Sequence, residues 1–248
     1  MKNKPVVSVI FIIFVILFLS SLFYFLSNRV EIKTFSETQE WDPEIYDFQF
    51  YETNLSEEDR YSLNTDAPKI NFRKEVRELK KMVEQRTPEK IYEIESENDT
   101  LELLKFNGKE LGEIIDNNLF LNIFLSRTMP ILNAITVQEK KKHDVIRPSY
   151  YDSSLTTVVN VPGHPAYPSG HSTQAHFIAH VLSWIDPNNT EIYFEDAWRV
   201  ATNREIAGLH YRSDSIAGKE LAENIFNLLI KDDSFSKNLD VAKTLRNR

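Results

Sequence analysis

One stretch, Val6–Leu26 (VVSVIFIIFVILFLSSLFYFL), leaves this chain few choices of fold at its N-terminus. It carries no charge, and only serines and one tyrosine interrupt it. At about 1.5 Å per residue, its length as a helix is roughly 30 Å, the thickness of a bilayer's hydrocarbon core. It has no polar face, which argues against a buried helix of a soluble domain. A cleaved signal peptide is the competing reading. However, the run exceeds the ~7–15 residues of a signal h-region, and no small-x-small cleavage site follows. The sequence therefore predicts an uncleaved, single-pass anchor at residues 6–26. Lys2 and Lys4 precede it, and Arg29 and Lys33 follow. That slight bias favours a cytoplasmic N-terminus and a catalytic part on the non-cytoplasmic side. No later stretch reads as a second span.

The remaining sequence is expected to be all-α. Only six glycines occur in 248 residues, too few for a turn-rich β protein. Val76, Leu79, Met82 and Val83 recur at helical steps and stop before Thr87-Pro88. A second periodic run covers Leu111 to Leu125. Pro130 is expected to break or kink the chain beyond it, before an apolar helical face resumes toward Lys140. Helices are predicted from His171 to Trp184, stopped by Asp186-Pro187, and from Glu191 to Leu209. A further one, capped by Asp214 or Ser215, is expected to run to about Ile230. Leu155 to Val161 is the one plausible strand. The expected organisation is an anchor at 1–28, an acidic linker at 29–68 and a catalytic domain at 69–248. Trp41, Tyr46, Phe48, Phe50 and Tyr51 suggest that part of the linker packs on the domain.

A net charge of −8 argues against a nucleic-acid partner. The absence of cysteine excludes disulfides, thiolate zinc sites and a cysteine nucleophile. Three N-x-S/T sequons, at Asn54, Asn98 and Asn188, matter only in a eukaryotic lumen.

The chemistry is concentrated between Lys140 and Asp214. Lys140 and Arg147-Pro148 come first, then Pro168-Ser169-Gly170-His171, then Arg204, His210 and Asp214. Two arginines and a lysine clamp the oxygens of a tetrahedral anion. A Ser-Gly turn opening a helix offers N–H groups and the positive end of the helix dipole. Two histidines supply a nucleophile and a proton donor.

Lys140-x6-Arg147-Pro148, Pro168-Ser169-Gly170-His171 and Arg204-x5-His210-x3-Asp214 together resemble the signature of the type 2 phosphatidic acid phosphatase superfamily. That superfamily includes class A acid phosphatases and vanadium haloperoxidases. The likeness covers roughly residues 110 to 230. It departs at Asn203, where the family usually has serine. It implies a helical bundle and a metal-free mechanism without cofactor. In it His210 attacks phosphorus, Asp214 orients His210, and His171 protonates the leaving oxygen. Lys140, Arg147, Ser169, Gly170 and Arg204 would bind the phosphate oxygens.

The leading expectation is a membrane-anchored phosphatase acting on phosphate monoesters, with small-molecule, lipid-phosphate and pyrophosphate substrates all open. A single span and a short gap between Pro148 and Ser169 look closer to the acid phosphatase branch. The alternative is a vanadium-dependent haloperoxidase, with vanadate bound at His210 and Pro165-Ala166-Tyr167 as its echo. A non-catalytic tethered binding protein is a third class. Among the other residues, His176 and His180 are expected to pack or face solvent rather than bind metal. His164 is read as an exposed loop residue or part of the site mouth, and His143 as a source of positive potential or part of a solvated turn. Tyr167 is read as loop packing, and Trp184 and Trp198 as core.

Overall fold

A computed structural model describes residues 33–47, 55–63, 65–66, 68–97 and 118–246, with positions 15, 18 and 115 besides. The chain divides into two units, Met1–Lys33 and Thr34–Arg248. In the first, Val15 and Phe18 are helical and exposed. The rest of the expected anchor lies outside the described residues, as do Phe48, Phe50, Tyr51, the sequons at Asn54 and Asn98, and most of the start of the Leu111 to Leu125 run.

The second unit is helical, with no strand among the described residues. In chain order its helices are α1 (Pro43–Asp47), α2 (Glu57–Ser62), α3 (Phe72–Glu84), α4 (Pro88–Ser96), α5 (Leu119–His143), α6 (Pro148–Tyr151), α7 (Gly170–Ile185), α8 (Thr190–Ile206), α9 (Arg212–Leu229) and α10 (Asp233–Arg246). Sequence cues account for many of the boundaries. Asn71 and Thr87 cap α3 and α4 with side-chain oxygens, and Pro88 occupies the first turn of α4, where its missing N–H costs nothing. Asp186 and Pro187 end α7 as expected.

The centre of the unit is α7. Nearly every side chain from Ser172 to Ile185 is buried, so this helix is enclosed on all sides. It packs chiefly against α8 and α9, with α5 and α10 closing the cluster. Leu125, Met129, Leu132, Phe177, Leu182, Val200, Leu221 and Ile225 fill the shared core.

Several expectations need correction. α5 runs through Pro130 without a break. The proline frees one carbonyl, but the buried apolar residues on both sides hold the helix together. By length and composition α5 and the turn after it (Leu119–Tyr151) are apolar enough to cross a membrane. Its Leu121, Leu125, Met129, Leu132 and Ile135 nevertheless lie in the main core, and it ends in buried Lys140. Residues 155–161 form a loop, folded back by Leu155 N–H on Asp152 O and tied by Val158 N–H to Ala207 O. α8 stops at Ile206 because Gly208 takes φ of 80°, a left-handed turn that would bring a Cβ to 2.7 Å from Thr156 O. Asp214 is not the cap of α9. It lies inside the first turn and accepts the backbone N–H of Tyr211 at 2.9 Å. Trp184 is 40% exposed rather than core.

The start of the linker is a strap on the second unit. Phe35 is fully buried, donates its N–H to Asp144 O, and packs edge-on against Trp41. Asp42 N–H bonds Gly163 O at 2.7 Å, which seats α1 over the loop before α7.

Candidate active site

α5, α7 and the loops after α5 and α8 converge on a cavity of about 270 Å³. Lys140, Arg147, His164, Gly170, His171 and His210 line one part of it. Each is there for a local reason. Lys140 is on the last turns of α5, and Arg147 caps α6. Ser169 caps α7, so Gly170 and His171 occupy its first turn. The Gly208 turn swings His210 out from the end of α8.

Hydrogen-bond partners fix the state of the His210 ring. Arg147 Nη1 lies 3.1 Å from His210 Nε2, and a guanidinium has no acceptor. His210 Nε2 must therefore be the acceptor, which leaves the proton on Nδ1, 3.1 Å from Asp214 Oδ2. His164 Nδ1 lies 2.9 Å from Arg147 Nη2, a donor, and 3.1 Å from Pro165 O, an acceptor. Burial, then Arg147 and Lys140, hold both rings well below the ordinary histidine pKa, so both are neutral near pH 7. Asp214 is buried and pushed up to about 7 by desolvation, while Tyr211 N–H, Lys140 and Arg147 pull it down.

Lys140 Nζ donates to three carbonyls, those of Pro165, Ala166 and Pro168, at 2.9, 3.0 and 2.6 Å. The ammonium therefore props the loop that delivers Ser169 to α7 while keeping its charge beside the cavity. Burial and then Arg147 lower its pKa well below the usual lysine value, with Asp214 opposing. Arg147 is also lowered, to about 10, chiefly by burial, and stays charged near neutrality.

Three of the expected residues stand behind the lining rather than on it. Asp214 supports His210. Ser169 Oγ accepts Ser172 N–H at 3.4 Å as the α7 cap, and Ser169 N–H bonds Asp214 O at 3.0 Å. Arg204 is fully buried and donates Nη2 to Ile94 O at 2.6 Å.

The end of α4 grips this wall. Glu97 O lies 3.2 Å from His171 Nε2, and the Glu97 carboxylate accepts Asn203 Nδ2 at 2.7 Å and pairs with Arg199. Asn203 uses both ends of its amide, since its Oδ1 accepts from Lys90 Nζ at 3.1 Å. The polar charge cluster of α4 offered no sequence signal beyond a solvated acidic face. His164 enters the site as a ligand of Arg147 rather than as an exposed residue. His143 is not part of a solvated turn. It is buried against Glu139 and Thr65, with its ring edge-on to Tyr167 at 5.0 Å. Tyr167 donates its hydroxyl to Asp66 O at 3.1 Å, a packing role. Among the described residues no three His, Asp or Glu side chains group as metal ligands.

No protein-family model matches the chain. A non-specific acid phosphatase of Providencia stuartii is 30% identical over 112 residues, which cover 44% of this chain and 45% of that protein. The crystal structure described as that of the first bacterial vanadium-dependent iodoperoxidase shares the fold. Its TM-score is 0.55 at 16% identity, over 82% of this chain and 64% of that one. The chain thus spans less than half of the curated relative's length in the match and under two thirds of the solved neighbour. Both matches agree with the resemblance of its motifs to the type 2 phosphatidic acid phosphatase superfamily.

Within that superfamily pattern, the Asn203 departure acquires a physical content. Where a serine would offer one hydroxyl, the amide here joins Lys90 and Glu97 of the α4 end to α8, next to Arg204. The difference changes the support of the site and leaves the cavity lining intact.

Proposed function

We propose that this protein is a membrane-anchored phosphatase that hydrolyses phosphate monoesters through a phosphohistidine on His210. The observation that carries the reading is the two-sided hold on His210. Asp214 keeps the proton on Nδ1, and Nε2 presents its lone pair to the cationic end of the cavity. Phosphate binding draws Arg147 Nη1 from that nitrogen onto a phosphate oxygen, which unmasks the nucleophile. Nε2 then attacks phosphorus in line. The P–O bond to the alcohol breaks, and His171 protonates the departing oxygen. A water deprotonated by His171 then attacks phosphorus, and the P–N bond breaks to release inorganic phosphate and free His210. Lys140, Arg147 and the N-terminus of α7 oppose the charge that builds on the equatorial oxygens. Arg204, close behind the wall, adds to the positive field. These steps use side chains alone, so EDTA is expected to leave activity unchanged. The acid phosphatase relative supports this reading.

The likeness to an iodoperoxidase favours a second reading, a vanadium-dependent haloperoxidase. The donor set fits vanadate: His210 Nε2 would hold the metal and Arg147 its oxygens, with the Lys140 charge close by. Bound vanadate would supply Lewis-acid activation of peroxide. Residues 6–26 tether the enzyme, with the catalytic unit on the non-cytoplasmic face. Protease added outside sealed vesicles in native orientation is expected to digest it there and to spare it in the opposite topology.

The deciding experiment uses the full chain in detergent with EDTA and a chromogenic phosphate monoester. Phosphate release that vanadate inhibits and His210→Ala abolishes is the expected result. Halide oxidation with vanadate and peroxide, without phosphate release, would reverse the ranking.

A further inference from the structure

The catalytic residues occupy only one end of the cavity. On α5 the lining residues are Asn133, Thr136, Val137 and Lys140, a spacing that places all four on one helical face. At 1.5 Å per residue, Asn133 lies about 10 Å along the axis from Lys140. α7 runs alongside with Gly170, His171 and Gln174, again on one face. The two helices therefore form a trough with cations and histidines at one end and two neutral amides at the other. Gln174 Nε2 donates to Asn133 Oδ1 at 2.6 Å, which locks the pair and turns the Asn133 amide. Among the described residues Asn133 Nδ2 has no protein partner. Ile45 of the strap and Pro162 contribute apolar surface, and Asn160 lies at the rim.

This geometry, taken with the phosphatase reading on which it rests, has a consequence for the substrate. A phosphate held by Arg147 and the α7 N-terminus, with the Lys140 charge beside it, points its ester group down the trough toward the amides. Neutral amides have no charge to offer a second phosphate. Covering the pair with an acyl or alkyl chain would strand Asn133 Nδ2, which costs more than the apolar contact returns. A hydroxyl group on the ester alcohol would accept from it. We propose that Asn133 and Gln174 form a leaving-group subsite that selects phosphate monoesters of small hydroxylated alcohols over those of alkyl or lipid alcohols.

Glycerol phosphate and n-propyl phosphate share a three-carbon skeleton and differ in hydroxyls, so they isolate the effect. With the full chain in detergent, kcat/KM is expected to favour glycerol phosphate by roughly 10-fold, the scale of one or two hydrogen bonds. Asn133→Leu should erase that preference by lowering kcat/KM for glycerol phosphate more than for propyl phosphate. Asn133→Ala provides the same comparison if leucine unfolds α5, with thermal melts reporting the fold of each. Calorimetric binding of both esters to full-length His210→Ala gives a readout independent of catalysis. Tighter binding of glycerol phosphate with no turnover of any ester would keep the subsite and end the phosphatase reading. Turnover of both esters with equal kcat/KM, or a preference for propyl or long-chain lipid esters, would overturn the subsite and leave the phosphatase reading standing. Equal binding of the two esters would overturn it as well.

Discussion

At the scale of single residues the site pairs a buried neutral histidine with a second one held differently. His210 is locked at both ring nitrogens, whereas His171 is partly exposed and touches the wall through Glu97 O. That division suits a nucleophile that must not be protonated and an acid that must exchange protons with solvent. A proton donor matters in proportion to the basicity of the leaving group. His171→Asn is therefore expected to lower kcat on alkyl phosphates by about 10²–10⁴-fold and on p-nitrophenyl phosphate far less, since nitrophenolate leaves without help. Comparing the two esters at saturation checks this; equal losses would assign His171 to binding. The sequence made the His210–Asp214 spacing legible, because three intervening residues at the start of a helix bring a carboxylate back to the ring. It did not reveal His164 as an Arg147 ligand, or the three carbonyls on Lys140. Those bonds depend on where the 164–168 loop returns to α5, which no local pattern encodes.

At the scale of elements, the position of the α7 N-terminus decides whether Gly170 and His171 face the cavity. α9 crosses it closely at Gly218, where a Cβ would lie 2.6 Å from Ser169 O and 2.8 Å from Ser172 Cβ. Gly218→Ala gains helix propensity of about 1 kcal/mol, but overpacking against a backbone carbonyl costs about 1–3 kcal/mol. The carbonyl belongs to the α7 cap and cannot yield without moving the site. The expected result is a melting temperature lower by up to roughly 8 °C together with a fall in kcat. Thermal unfolding and turnover of the same preparation test this, and unchanged values of both would show that the crossing has slack. The helices with clean periodicity and clear caps, α3 and α7, were legible in the sequence. The alternation of residues 155–161 misled because those side chains answer to separate partners. Arg86 holds Thr156 O at 2.8 Å while Val158, Val159 and Val161 pack beside Ala207 and Leu209. The α5 segment kept its helix through Pro130 because tertiary burial outweighs one lost hydrogen bond, and local propensity carries no information on burial.

At the scale of the molecule, an acidic chain with net charge −8 buries a concentration of groups whose charge states depend on pH. His176 is the clearest of them. It is fully buried, its Nδ1–H faces Ser172 O at 2.8 Å, and its ring lies edge-on to Trp198 at 4.9 Å. Desolvation lowers its pKa to about 4, with the Ser172 carbonyl opposing. The unfolded chain takes up a proton near pH 6.5 that the folded chain refuses until about pH 4. Stability from this residue is thus complete above about 6.5 and is lost as pH falls toward 4, by roughly 3 kcal/mol across the window. Asp214 has the opposite sign. Its raised pKa of about 7 makes the folded state bind the extra proton, so its contribution declines as pH rises from about 4 to 7. The two slopes partly cancel in the wild-type protein, so a single melting curve against pH cannot assign either. His176→Phe separates them, because the new ring fits the same aromatic surroundings and His176 Nε2 has no partner to lose. Between pH 6.5 and 4 the wild type is expected to lose roughly 6–12 °C relative to this variant. Parallel melting temperatures that stay a constant distance apart across that range would mean His176 takes up its proton without cost, and would place the acid sensitivity of the fold elsewhere.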